Sequence, residues 1–408
     1  NGKAVFDAET ATEGTVTITV PAPTGVTQDN VHVYYLGPNG AEEIEAIVGG
    51  TENDQTVSWD VSHFSTYYVT ADEQEASVTV TKDGAATTTP YETFADALKA
   101  ITNADGEVAI NLLSDVTLSS VTDDSKLEIP SGKTVTIVGK GHTISATWTG
   151  DTDSGTNQNH PILDVKGDLT LDNVILDFHG KDDGTDANPA HNDGDGIMLS
   201  TGSKLTLTDG TVVNLDNLYR GFIMGDKPEL VVNNATLNVS NITANGSNGG
   251  KWEIKNGSNV SFTNIGNHAL STETVSIENS KVTVDEAGYL GIYGSEITLT
   301  NADVSVTNSA TAAGLATASN GAYNGKGAVQ LKGADDDGTQ PKLTITNSIL
   351  TLTGNGNGAA SDEQTIYVGN ATVDIDNDSN VYAQIKSADG ATTQYYTVAF
   401  KNENGEDW

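Results

Sequence analysis

Apolar and polar residues alternate with a period of two along most of this chain, most clearly in LTLDNVILDF at 169–178. Two apolar positions alternate with polar ones, a turn residue follows, and a second alternating pair closes the unit. The template recurs as LTLTDGTVVNL from Leu205, LVVNNATLNV from Leu230, VSFTNIGNHAL from Val260 and VSIENSKVTV from Val275. It continues as ITLTNADVSV from Ile297, LTITNSILTL from Leu343 and VDIDNDSNVYA from Val373. The fifth position reads Asn173, Asp209, Asn234, Asn264, Asn279, Asn301, Asn347 and Asn377. Period two means a strand with one buried face, and Asn at a bend suits a residue that tolerates left-handed backbone. A strand, bend, strand unit with no helix between copies cannot bury its apolar face alone, so the copies must stack. The pattern predicts an all-β chain built as a parallel β-helix, with the Asn side chains forming an amide ladder at one corner. Successive fifth positions differ by 36, 25, 30, 15, 22, 46 and 30 residues. The 15 between Asn264 and Asn279 is short for a full turn.

Ahead of the repeats, TVTITVP, VHVYYLG, EEIEAIV, QTVSWDV and STYYVTA read as strands separated by turns such as GPNG at 37–40. Residues 1–71 are therefore expected to form a small β-sandwich, with the β-helix over 72–395. One helix is predicted over 90–101, where Thr89, Pro90 and Glu92 set out a capping box and Phe94, Ala97, Leu98 and Ile101 make an apolar stripe. An open solenoid end exposes strand edges and core, so this helix is expected to plug the N-terminal end. Insertions at 147–160, 179–195, 241–250 and 310–326 precede the short strands ILDV, GIML, KWEI and GAVQL, and should line one side of the stack. Residues 396–408 look like the start of a following domain, which makes the chain a piece of a larger protein, expected to be monomeric.

Charge narrows the class of partner. The 408 residues carry a formal net charge of −37, with one Arg, at position 220, among 19 basic residues. Such a surface repels nucleic-acid phosphates and anionic membranes, so no nucleic-acid partner is expected. No run of 18 apolar residues exists, and membrane insertion by a helix is not expected. With no cysteine there is no disulfide framework and no thiolate metal site.

YETFADALKAIT, then EVAINLLSDVTL and KTVTIVGKGHTIS, resemble the start of pectin-lyase-like right-handed β-helix modules in large surface adhesins of Gram-positive gut bacteria. The resemblance covers about 76–390. It implies a secreted or wall-anchored cell-surface protein in which such modules alternate with small β domains. YYTVAFKNENGEDW is similar to the opening of a Listeria-Bacteroides type β-grasp repeat, and VSWDVSHFSTYYV to the closing strands of ZU5-like domains. Some members of the ZU5-like group cleave themselves between the Phe and Ser of a His-Phe-Ser motif, which His63, Phe64 and Ser65 match. Ser65 would attack the preceding carbonyl and His63 would take its proton. The bland alternative makes Phe64 core and Ser65 an ordinary strand residue.

Fold alone does not assign activity, and three kinds of site are in view. HNDGDGIML resembles the opening of the polygalacturonase signature, with Asp193 and Asp195 as an acid and base pair. An inverting hydrolase needs its carboxyls about 6.5–9.5 Å apart. The later elements of that signature are missing, and NDGDG also reads as a tight loop entering a strand. Asp151, Asp153, Asp182, Asp183, Asp186, Asp193 and Asp195 crowd carboxylates into two insertions, an oxygen-rich set suited to Ca²⁺, the one cofactor in view. Trp148, Trp252, Tyr219, Tyr289, Tyr293 and Tyr323 fall in or beside the insertion-bearing side and would offer flat faces to sugar rings. The expected function is a non-catalytic adhesin or stalk module binding a host or dietary glycan or a host surface protein. The alternative is a β-helix polysaccharide lyase or glycoside hydrolase.

Overall fold

The structure, a computed structural model, describes residues 15–23, 26–51, 54–62, 65–150, 159–181, 194–309, 328–331, 340–355, 366–367, 371–386 and 393–395. It is an all-β parallel β-helix with a small N-terminal β domain. The chain divides into two compact units, Asn1–Val116 with Val135–His142, and Thr117–Thr134 with Thr143–Trp408.

In the first unit, Val16–Pro21, Asp54–Val61 and Ile47–Thr51 form one antiparallel sheet. Gly40–Ile44, His32–Gly37 and Tyr67–Thr70 form a second. The stretch EEIEAIV, which alternation presents as one strand, is two strands in different sheets, with the buried Ala46 at the changeover. Val33, Val57, Trp59 and Val61 fill the space between the sheets. A hairpin follows, Ala76–Lys82 with Ala85–Tyr91, turned by Asp83 and Gly84 at positive φ, as an Asp-Gly pair does in two-residue hairpins.

The helix is shorter than the sequence suggests. It runs Phe94–Ile101, and Thr93 caps it by accepting the Asp96 N–H at 3.1 Å. Thr89 and Pro90 belong instead to the hairpin, where Pro90 pairs with Ser77 at the sheet edge, a place where a missing N–H costs no ladder bond. The apolar stripe is as read: Phe94, Ala97, Leu98 and Ile101 are all buried.

The second unit is a stack of coils, each with up to three strands. A first-sheet strand, such as Asp168–Asp172, turns at Asn173 (φ +50°) into a second-sheet strand, Ile175–His179, and the chain then reaches a short third-side strand, Asp195–Leu199. Parallel pairing sets Leu169, Leu205, Leu230, Trp252, Val275, Ile297, Leu343 and Val373 in one inward column. All eight are buried, and each stacked aliphatic stabilises the column by about 1.5–3 kcal/mol relative to exposure.

That column corrects one copy of the repeat. Trp252 stands where Val260 was expected, so the coil reads WEIKN and its corner is Asn256 (φ +59°). Corner spacings then become 22 from Asn234 and 23 to Asn279, and the 15-residue anomaly disappears. Asn264 is instead aligned with Asn241 near the far end of the second-sheet strands, both left-handed, and its side chain donates to Asn241 Oδ1 at 2.8 Å. The amide ladder is present at the first corner: Asn347 donates to Asn301 at 2.7 Å and Asn301 to Asn279 at 3.1 Å. At the last coil Asp376, one residue before Asn377, accepts the Asn347 backbone N–H.

The third side is thin. Gly196, Gly221 and Gly246 stack so closely that a Cβ on each would lie 2.5 Å from the next coil's carbonyl oxygen. KWEI belongs to the first sheet, as Lys251–Lys255, so 243–250 crosses the third side without a strand.

Candidate functional site

Three successive third-side strands begin at Pro161, Asp195 and Arg220, which are paired in register. Two of the long connections arrive from the second sheet at this edge, after Trp148 and after His179. Arg220 grips Asp195 with two bonds, Nε to Oδ1 at 2.7 Å and Nη2 to Oδ2 at 3.0 Å. Asp195 also accepts the His160 backbone N–H at 2.9 Å, and Arg220 Nη2 donates to Asn159 at 3.1 Å. His160 Nδ1 lies 2.9 Å from Asp123, and the guanidinium sits 5.2 Å from the centroid of the Tyr219 ring. Four coils are thus laced together at one edge.

This clasp changes the reading of Asp195. Its side chain is 2 % exposed and both oxygens are committed to the chain's single arginine. A carboxylate held this way anchors the guanidinium and the His160 N–H at the start of its strand. Its expected partner Asp193 lies outside the described residues, as do Asp151, Asp153, Asp182, Asp183 and Asp186. Among the described residues no group of three His, Asp or Glu side chains could hold a metal ion.

The described aromatic candidates are all buried or half-buried. Trp148 is fully buried, donates its indole N–H to Gly150 at 3.1 Å, and lies where a Cβ on Gly194 would come within 2.4 Å of its ring. Trp252 is fully buried between Phe222 and Phe262, with ring centroids at 5.4 and 6.2 Å. Neither indole presents a face to solvent. Tyr219 is half-buried beside Arg220. Tyr289 is buried edge-on against His268, and the half-buried Tyr293 stacks on the same imidazole. Burial pushes His268 down to about 4. Tyr323 lies outside the described residues, and so do His63 and Phe64, while Ser65 is exposed.

Two polar arrays escaped sequence reasoning. The first sheet carries a zigzag of ion pairs: Lys204 to Glu229 at 3.2 Å, Glu229 to Lys251 at 3.5 Å, Lys251 to Glu253 at 3.4 Å and Glu253 to Lys255 at 3.1 Å. Lys204 holds Glu229 below the usual carboxylate range, and Glu229 in turn raises Lys251. On the second sheet Asn238 donates to Asn214 at 2.9 Å and Ser261 to Asn238 at 2.8 Å, forming an outer row parallel to the corner ladder. A second Asn seven or eight residues after the corner Asn, as in Asn234 with Asn241 and Asn256 with Asn264, was the available signal for the second left-handed row.

No protein-family model, no curated protein and no solved structure matches the chain.

Proposed function

We propose that the chain is a non-catalytic display module of a bacterial cell-surface protein, in which a pectin-lyase-like β-helix following a ZU5-like domain presents a recognition surface for a glycan or a host surface protein. The observation that carries this reading is that the three longest connections of the stack leave and rejoin it between the same two sides. Residues 149–160, 180–194, 310–328 and 356–365 all join a second-sheet strand to a third-side strand, and the feet of the first two are tied by the Asp195–Arg220 clasp. A rigid stack that gathers its longest excursions is a scaffold for display. From Thr143–Trp148 to Asn380–Lys386 the second sheet stacks nine parallel strands, a rise of about 38 Å at about 4.8 Å per coil, enough to act as a stalk segment.

The purified chain is to be tested on a glycan array and, in parallel, incubated with plant and mucin polysaccharides. Retention without new reducing ends or unsaturated products is expected. Release of either product overturns the reading in favour of a glycan-cleaving β-helix.

A further inference from the structure

The corner that carries the asparagine ladder is more than a seam. In the three coils turned at Asn279, Asn301 and Asn347 the left-handed Asn is exposed, the next residue is buried, and the one after it opens the second sheet with an exposed side chain. Stacking Asn279-Ser280-Lys281, Asn301-Ala302-Asp303 and the walls Asn347 and Ile349 therefore makes a groove running along the stack, continued by Gly257-Ser258-Asn259, with a volume of about 690 Å³. Four coils contribute to it.

One wall is a periodic array of amides. A carboxamide offers two N–H donors and two acceptor lone pairs. Along the ladder Asn347 donates to Asn301, Asn301 to Asn279, and Asn279 to Glu278 Oε1 at 3.2 Å, each through one nitrogen. Every amide keeps a second N–H and a lone pair, and all three residues are exposed. The opposite wall holds one cation, Lys281, one anion, Asp303, and the apolar Ile349, which is 44 % exposed. This groove is charge-balanced in a protein of net charge −37.

We propose that this corner is a binding groove for a neutral, extended β-linked glycan lying along the stack, about one sugar per coil. The periodicity selects the occupant: such a glycan advances by about 5 Å per sugar and turns over at each step, so the same face recurs about every two coils of about 4.8 Å each, whereas an extended peptide recurs every two residues, about 6.8 Å, out of step with the coils. Hydroxyls that both donate and accept complement the free amide valences, and the apolar ring edge meets Ile349. The acidic surface disfavours polyuronates and other polyanions. The inference rests on the display reading and adds to it a ligand class and a place away from the second-to-third connections.

The test is titration calorimetry of the whole chain with β-1,4-linked glucose oligomers of two to six sugars, with a galacturonate hexamer and an extended neutral hexapeptide as comparisons. Affinity should rise at least tenfold from two sugars to four and then level off. Asp303→Trp and Lys281→Trp, which fill the groove from its exposed wall, should each lower affinity at least tenfold with an unchanged melting temperature. If one of them lowers the melting temperature, the other decides. Undiminished binding in a folded Trp variant places the glycan elsewhere and overturns the groove while leaving the display reading intact. Preference for the peptide or the galacturonate hexamer overturns the assigned occupant. Failure of every neutral oligomer to bind overturns the groove, and an empty glycan array alongside it removes the glycan half of the display reading.

Discussion

Replacing Arg220 by Met strands a carboxylate. Asp195 is 2 % exposed at its side chain and Arg220 18 %, so the pair lies in the buried regime, where loss of one partner costs about 3–5 kcal/mol. The guanidinium keeps some access to solvent, and the lower end, about 3 kcal/mol, is expected, roughly a hundredfold in the local opening equilibrium. Asp195 retains the His160 N–H after the substitution, one bond for a charge that had three. Solenoids open by neighbouring repeats rather than all at once, so the assay is hydrogen exchange of the amides in Asp195–Leu199 and Arg220–Met224, set beside guanidinium melts. Adding Asp195→Asn removes the stranded charge, and the double variant should recover a large part of the loss. That non-additivity separates an ion clasp from simple packing by the arginine stem. Raising salt from low to molar concentration should change little, because a buried pair is poorly screened. A single-variant cost under about 1 kcal/mol is what an exposed pair gives, and it would refute the clasp.

Two further outcomes follow from local geometry. Gly246→Val brings side-chain atoms to a place where even a Cβ lies 2.5 Å from the Ala269 carbonyl oxygen and 2.8 Å from the Phe262 ring; an overpacking cost of about 1–3 kcal/mol is expected as a lowered melting temperature, and an unchanged one contradicts the thin third side. His268 is held neutral, near 4 against an ordinary 6.5, so the unfolded chain takes up its proton first on acidification. Stability from this site should fall between pH 6.5 and 4, by at most about 3 kcal/mol, and level off below. In His268→Phe the urea midpoint should lose that slope; the same slope in the variant assigns it to other groups.

Much of the fold was legible because a solenoid writes its period into the sequence. Seven of the eight template copies share one column with Leu169, and the left-handed Asn corners are where the fifth position put them at Asn173, Asn234, Asn279, Asn301 and Asn347. The copy at Val260 failed for a physical reason. Second-sheet strands alternate as first-sheet strands do and also end in left-handed Asn, so VSFTN satisfies the template while occupying the wrong side. The helix start failed because Thr-Pro-x-Glu is a good cap in isolation, and only pairing of Pro90 with Ser77 makes it strand. The Asp195–Arg220 clasp was hidden because its partners are 25 residues apart in sequence and adjacent only once coils stack.

The aromatic residues show where sequence reasoning about function is weakest in such a fold. A ring near an insertion suggests a platform for a sugar, yet Phe222, Trp252 and Phe262 form a single buried cluster. That cluster lies where the chain crosses from Asn245 to Gly250 without a third-side strand. Glycine at 246 brings that crossing against the Phe262 ring, so large rings fill space that a narrower wall leaves, and their bulk is used for packing. The surface chemistry of this stack lies instead in small polar groups repeated at the coil spacing, the amides of Asn279, Asn301 and Asn347 and the outer row of Asn214, Asn238 and Ser261. One such group binds weakly, but a fixed row is preorganised and loses little entropy on meeting a partner of matching period. Recognition by this chain should therefore depend on ligand length more than on any single residue. A ligand of two sugars that binds as tightly as one of six would contradict it.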